Sequence, residues 1–440
     1  GLMLGTAVLA LVAWVPPEPA LQSFLAGLGS TFGTVGLLIA LGAMLGKLLA
    51  DSGGANRIVD TIVDRVGPRG LPWAMALIAA IIGLPMFFEI GVVILVPIIV
   101  LVAIRTGTRL MLVGIPALAG LSILHGLVPP HPGPLTAIAL LHADLGYTLI
   151  FGLICAVPTL VIAGPLLAQF IVRWVDVDTP QPVQRNDDDI SGRAPETSQT
   201  SDDTGEGIAG DREAGVTRTP TFALSVLAIV LPVLLMLVRA VDDVVDKHDV
   251  TNNPNVFDFI GEPTIALLVG VLVAMVAVGR PSGMNRGQIN DSLGSGLPGV
   301  ASIMLIVAAG GGFKQELSDS GVANVIADAA KGSHLSVLLL GWLVAVGIRL
   351  ATGSATVATV TAAGIVGPLG QSLSTTHLSL LVLAIGAGSL FFSHVNDAGF
   401  WLVKQYFGMT VWETIKSWSV METVISVVAL ICVLILSTFV

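Results

Sequence analysis

The chain has 440 residues, 54% of them hydrophobic and only 11% charged. Water-soluble domains carry roughly 25% charged residues, so this chain lacks the polar surface to coat a globule in water; disorder, a collagen-like repeat and a disulfide scaffold are excluded as well. The formal net charge of −10 is concentrated in one stretch, because residues 176–216 hold eleven acids against three arginines. The acidity therefore describes a linker and carries no message about a basic partner.

A hydrocarbon core about 30 Å thick takes about 20 apolar residues as helix. Residues 1–15 form a shortened first span with no basic n-region ahead of it, read as a retained helix rather than a cleaved signal. A second span covers 30–50, with 16–29 connecting the two. Residues 71–104 are too long for one span and carry proline and charge in their middle. They are predicted to form a helical hairpin with its tip near Pro85-Met-Phe-Phe-Glu89-Ile-Gly91. The next span, 110–142, is broken by Ser122-Ile-Leu-His125-Gly-Leu-Val-Pro129-Pro130-His131-Pro132-Gly133-Pro134. Its prolines lack an N–H and clash with the preceding turn, so a helix cannot run through them. Span 148–172 closes a first unit, 1–172.

Residues 173–220 are rich in Asp, Gly, Pro, Ser and Thr and cannot bury enough apolar surface to fold. They are predicted to be a disordered, acidic, cytoplasmic linker. One connecting span, 221–239, follows. The second unit, 262–440, has spans at 262–279, 298–316 and 419–438. Between them lie a hairpin, 334–371, with its tip near Thr352-Gly-Ser354-Ala-Thr356, and a span, 376–408, broken at Phe391-Phe-Ser393-His394-Val-Asn396-Asp397-Ala-Gly399-Phe400.

The two units repeat one another at an offset of 268 residues. Leu49-Ala-Asp51-Ser52-Gly53-Gly-Ala55-Asn56-Arg-Ile58-Val-Asp60 matches Leu317-Ser-Asp319-Ser320-Gly321-Val-Ala323-Asn324-Val-Ile326-Ala-Asp328 at eight of twelve positions. A polar motif of that kind is not chance similarity between apolar helices. Basic residues then give each unit an orientation. In the first, Arg57, Arg65, Arg69, Arg105 and Arg109 mark one side, and 16–29 and 142–148 hold none. In the second the marked segments alternate with the opposite parity, at Arg280, Arg286, Lys404 and Lys416. The fold class expected is an all-α polytopic membrane protein of two inverted-topology repeats. Each contains a re-entrant helical hairpin and a broken transmembrane helix. Two full crossings are the alternative for each hairpin.

Broken backbone at membrane depth is tolerated only where protein or a water-filled cavity satisfies its polar groups. Two hairpin tips and two broken spans can converge, and half-helix N-termini favour a small anion or zwitterion as cargo. Ionisable groups inside spans default to a functional reading. Glu89 at the first tip suits a proton carrier. Arg349, just before the second tip, either grips a carboxylate bidentately or neutralises Glu89 or Asp397. His125, His131 and His394 lie in the breaks, and histidine there is a candidate to touch substrate or proton. Thr352, Ser354, Thr356, Ser393 and Asn396 offer hydroxyl and amide groups for a polyol, or back-bond to their own helices. The glycine triplet Gly310-Gly-Gly312 reads as close helix packing. No His-Glu-x-x-His or Walker A sequence is present, no stretch reads as a nucleic-acid surface, and the spacing of the histidines is not specific for a metal.

Gly126-Leu-Val-Pro-Pro-His-Pro-Gly-Pro134, Phe391-Phe-Ser-His-Val-Asn-Asp-Ala-Gly-Phe-Trp401 and Phe87-Phe-Glu-Ile-Gly91 together resemble the gluconate permease family. The likeness runs over the whole chain except 176–220. It implies a proton-driven symporter of the prokaryotic inner membrane that takes up gluconate or a related sugar acid, with no cofactor and no catalysis. Some members of that family carry D-serine instead. The wider superfamily has inverted repeats with paired hairpins, and its sodium-coupled carriers bear Ser-Asn-Thr at both tips. Here the tips hold a carboxylate or Thr-Gly-Ser-Ala-Thr, which argues for protons and leaves sodium open. On this reading Arg349, Thr352, Ser354, Thr356, Ser393, His394, Asn396 and His131 hold the substrate, and Glu89, His125 and Asp397 handle the proton. The N-terminus and linker face the cytoplasm, and a homodimer is left open. A D-serine carrier is the nearest alternative, and an intramembrane metalloenzyme a more distant one.

Overall fold

In a chain this apolar each segment must satisfy its own backbone polar groups, and helices do so locally. The computed structural model describes residues 2–85, 88–175, 177, 218–246, 255–322 and 335–440, which form helices and connecting turns with no strand among them. The first unit contains α1 (Leu2–Val12), α2 (Pro17–Asp51), α3 (Gly54–Val63), α4 (Leu71–Gly83), α5 (Phe88–Thr106), α6 (Leu110–Leu127), α7 (Pro132–Leu141) and α8 (Leu145–Ile171). A single long helix, α9 (Phe222–Asp246), leads through the short α10 (Val256–Ile260) to the second unit. That unit contains α11 (Pro263–Gly279), α12 (Arg286–Ser295), α13 (Ala301–Asp319), α14 (Val337–Thr352), α15 (Ala355–Gly370), α16 (Thr375–Ser389), α17 (Ala398–Tyr406) and α18 (Val411–Leu436).

Six stretches among the described residues are long and apolar enough to cross a membrane. Their outer faces confirm the solvent they need. On α9, Leu227, Leu234, Val238 and Val241 fall on one helical face, and all are exposed. On α18, Val427, Ile431 and Ile435 do the same. Apolar stripes of this extent on several helices do not occur on a water-soluble monomer; here they face lipid. The protein is a multi-pass membrane protein.

The centre is α6, in which every residue but Leu112 is buried. Helix α4 packs on α6, and α14 packs on α16 in the same way. Across the two units α2 packs on α13, α7 on α15, and α8 on α18. The repeated motif is visible where it is described. Helices α2 and α13 both end on Asp-Ser-Gly, at Asp51 and Asp319. The serine hydroxyls of Ser52 and Ser320 each donate to the carbonyl three residues back at 3.2 Å, and Gly53 and Gly321 follow in the left-handed region at φ 75° and 74°. From Ala323 to Asp328 the second copy lies outside the described residues, and so does the expected linker apart from 173–175, 177 and 218–220.

One expected boundary is corrected. Residues 16–29 were expected to connect two spans, yet Pro17–Asp51 is one helix with a wider turn at Phe32–Gly36. Pro17 stands in the first turn, where its missing N–H costs nothing. Beyond it, Ala20, Phe24, Gly27 and Thr31 bury against α13. The glycine triplet permits that approach: a Cβ on Gly311 would lie 1.9 Å from Thr31 Oγ1, and one on Gly310 would lie 1.8 Å from Val360. The close-packing reading of the triplet is what the structure shows.

Helix ends lie close to each of the four expected interruptions. Helix α4 ends at Gly83 and α5 begins at Phe88; Met86 and Phe87 of the first tip lie outside the described residues. Helices α14 and α15 meet at Gly353 and Ser354. The first broken span is interrupted at residues 128–131, and the second at residues 390–397.

Candidate functional site

Both hairpin tips and the second break line one cavity of about 230 Å³, whose wall is completed by α6 and α18; the first break, 128–131, stands outside it. Pockets for drug-sized ligands run to roughly 300–1,000 Å³, so this one suits a smaller molecule. The second hairpin tip supplies most of its polar wall. Thr-Gly-Ser-Ala-Thr folds as a helix stop followed at once by a helix start. Gly353 takes φ 76°, and the Ser354 hydroxyl accepts from the Val357 amide at 3.3 Å as an N-cap. Only glycine fits at the joint, because a Cβ there would lie 2.1 Å from the Asn396 carbonyl of the second break. Tip and break are thereby held in contact. The Asn396 side-chain amide secures them further by donating to the Leu350 carbonyl at 2.9 Å.

Arg349 lies one turn before that tip and is only 3% exposed. Its Nη1 donates to the Gly353 carbonyl at 2.6 Å, and its Nη2 donates to Asp397 Oδ2 at 2.5 Å. Of the two partners considered for Arg349, the structure pairs it with Asp397. Asp397 is also the N-cap of α17, where it accepts from the Gly399 amide at 2.9 Å. Behind it, the Ser393 hydroxyl donates to Asp397 Oδ2 and receives the Trp418 Nε1 proton at 2.7 Å. The Ser419 hydroxyl donates to the Ser393 carbonyl. Trp418 and Ser419 belong to a wider π turn in α18 at Ile415–Ser419, a local irregularity frequent at functional sites. One chain of polar contacts thus runs from α18 through the second break to the second tip.

The facing wall comes from the first unit: Phe88 at the start of α5, with Ser122 and His125 of α6. The N-termini of α5, α15 and α17 all open on the cavity, at Phe88, at Ser354–Thr356 and at Asp397–Gly399. First-turn amides have no intrahelical acceptor, and they carry the positive end of the helix dipole. The arrangement therefore offers a guanidinium and three helix N-termini to a small ligand, with hydroxyl and amide groups beside them. Such an arrangement is chemically suited to an anion that also bears hydroxyl groups.

Of the residues named from sequence, Arg349, Thr352, Ser354, Thr356, Asn396, His125 and Asp397 line the cavity. Thr352 back-bonds to the Ile348 carbonyl at 2.8 Å. Three others stand behind the wall. Ser393 orients Asp397, and His394 Nδ1 lies 3.1 Å from the Phe392 carbonyl. His131 packs edge-on against His125 with ring centroids 5.8 Å apart. The side chain of Glu89 lies outside the described residues. Leu390 and, on α18, Trp418 and Glu422 also line the cavity and went unnamed from sequence. Glu422 is 1% exposed, and its Oε1 has no hydrogen-bond partner. A carboxylate in mid-span is a functional signal in its own right. It was passed over because the run around it, 419–438, is uninterrupted.

Comparison with known proteins matches this organisation. A model of the GntP family permease covers residues 1–439. A gluconate permease of Pseudomonas aeruginosa is 46% identical, over 99% of this chain and 92% of its own length. A high-affinity gluconate transporter of Escherichia coli is 39% identical, over 99% and 93%. The Gnt-II system L-idonate transporter of Escherichia coli is 39% identical, over 98% and 92%. Among solved structures, the YdaH transporter of Alcanivorax borkumensis superposes with a TM-score of 0.63 at 14% identity, covering 96% of this chain and 89% of that one. At that identity the likeness concerns the fold. These sequence relatives are named as permeases and transporters, not as enzymes. The chain belongs to the GntP permease family.

Proposed function

We propose that the protein is a proton-coupled importer of gluconate or a closely related sugar acid across the prokaryotic cytoplasmic membrane. The observation that carries this reading is the placing of Arg349 at the meeting point of three helix N-termini, in a small cavity lined by hydroxyl and amide groups. A sugar acid has one carboxylate for the guanidinium and several hydroxyls for the remaining wall. The relatives above are named for gluconate and L-idonate, which favours a sugar acid over an amino acid such as D-serine; nothing in them supports a metalloenzyme.

In this reading the substrate carboxylate competes with Asp397 for Arg349, while Thr352, Ser354, Thr356 and Asn396 meet the hydroxyls. Ser393, His394 and His131 support the wall from behind. Glu89, His125 and Asp397 conduct the proton, with sodium left as the competing coupling ion. The two units are inverted repeats whose hairpins re-enter from opposite faces. They rock against the scaffold to expose the cavity alternately, with the N-terminus and linker in the cytoplasm.

A competition panel in proteoliposomes with an imposed pH gradient tests the reading. Sugar acids should compete with labelled gluconate, and D-serine and other small amino acids should not. Competition by D-serine alone would transfer the assignment to an amino-acid carrier.

A further inference from the structure

Helix α18 brings to the cavity a carboxyl that the reading above does not use. Glu422 lines the wall, is 1% exposed and leaves Oε1 without a hydrogen-bond partner. A carboxylate withdrawn from water needs a cation or several donors to hold it. The cation of this cavity, Arg349, is already engaged by Asp397 at 2.5 Å.

The other elements packed on α18 do not supply a replacement. Helices α8 and α16 contain no Asp, Glu, Lys or Arg. Helix α6 presents Ser122 and His125, and α14 presents Arg349 together with Trp342, whose Nε1 donates to Ser426 at 3.0 Å. The second break presents Asp397, and on α17 the Lys404 ammonium sits over the Trp401 ring at 5.9 Å. On α18 itself Lys416 lies over Trp412 at 5.3 Å, and Glu413 caps Thr410. Among the described residues the cavity thus holds one guanidinium against two carboxyls before any substrate arrives.

An entering monoanion adds a second uncompensated negative charge beside the buried side chains of Arg349 and Glu422. A proton bound to one carboxyl cancels the charge that the anion adds. Asp397 is already engaged by Arg349, Ser393 and the Gly399 amide, whereas Glu422 has an open oxygen. We propose that Glu422 is the group that binds the proton accompanying the substrate anion. As the anion binds beside Arg349, the Glu422 carboxylate takes a proton from water on the same side and an O–H bond forms. When the anion leaves on the opposite side, that bond breaks and the proton passes to water there. No other bond changes. One anion and one proton cross together, and the Ser122 hydroxyl stands beside Glu422 as its hydrogen-bond partner. The inference rests on the sugar-acid reading and deepens it by naming where the proton sits. Glu89, at the first tip, then acts on the route of the proton and alters rate rather than equilibrium.

Gluconate is titrated into purified full-length protein in a weakly buffered solution containing a pH indicator, with binding followed in parallel by calorimetry. The wild type should take up on the order of one proton per gluconate bound. Glu422→Gln should bind gluconate with that uptake abolished and with an affinity no longer dependent on pH. Unchanged proton uptake in Glu422→Gln overturns the proposal, as does a folded Glu422→Gln that binds gluconate at no pH, which would make Glu422 a substrate contact. Should Glu422→Gln fail to fold, Glu422→Asp carries the test: uptake retained at a displaced pH supports the proposal, and binding without uptake overturns it. Failure of the sugar-acid reading looks different. There the wild type binds neither gluconate nor L-idonate, and no proton movement accompanies either.

Discussion

The two broken spans occupy matching places in the repeat and are built in opposite ways. The first is interrupted by prolines and is enclosed: Val128 to Pro134 are all buried, and the His131 ring packs edge-on against His125. The second contains no proline. It is held open by side chains, with Asp397 capping α17, Ser393 bonded to Asp397 and to Trp418, and Asn396 bonded across to Leu350. The hairpin tips differ in the same sense. Arg349 and the hydroxyls belong to the second tip, whereas the first contributes Phe88 to the described lining. The two units therefore contribute unequally to the cavity. The first supplies Phe88, Ser122 and His125, and the second supplies Arg349, Asp397 and most of the polar wall.

Substitutions in the second unit should accordingly affect substrate far more than those in the first. Arg349→Gln should weaken gluconate binding by about 100-fold or more, because removing one partner of a buried charge pair costs about 2–5 kcal/mol. Arg349→Lys should not restore it, since an ammonium lacks the planar fork that serves Gly353 and Asp397 together. Equal losses from a matching change at His125 would break the comparison. Calorimetric titration on purified protein measures both.

Next in size is the joint at Gly353. Gly353→Ala adds a left-handed alanine, about 1–2 kcal/mol, and drives a Cβ into the Asn396 carbonyl. Gly321→Ala meets the same conformational cost at φ 74° with nothing within 4 Å. Thermal unfolding in detergent should show a much larger fall for Gly353→Ala, with gluconate binding lost only there. Similar falls for the two would mean that the contact between tip and break is not what holds the site.

A smaller change is expected behind the wall. Ser393→Ala removes one hydroxyl that joins Trp418 to Asp397, and a net hydrogen bond is worth about 1 kcal/mol, or about fivefold in affinity. Trp418→Phe should cost a similar factor, and the double variant should cost less than the product, since both act on one network. The smallest effect belongs to the first break. His131→Asn should lower the unfolding temperature and leave gluconate affinity within about twofold, which is less than about 0.5 kcal/mol. A larger change there would move substrate toward the first unit.

What could be read in advance follows the same division. Breaks made by backbone chemistry were legible, because four prolines or a Thr-Gly-Ser turn act locally whatever surrounds them. Arg349 and Asp397 stood out as charges inside apolar runs, although their mutual pairing depends on contact between segments 48 residues apart. Helix across 17–29 was hidden because its stability comes from burial of Phe24 and Gly27 on the glycines of α13, nearly 300 residues away. Glu422 and Trp418 were hidden for the converse reason. Nothing in their own helix is broken, and only the packing of α18 against the second break brings them to the cavity.

The central claim is that a sugar acid and a proton cross together through the site around Arg349. A pulse of gluconate outside de-energised, weakly buffered proteoliposomes tests it most directly, with external pH recorded. The account predicts an alkalinisation that requires gluconate, is abolished in Arg349→Gln and collapses with a protonophore. Gluconate entry with no accompanying movement of protons, or full transport by Arg349→Gln, would contradict it.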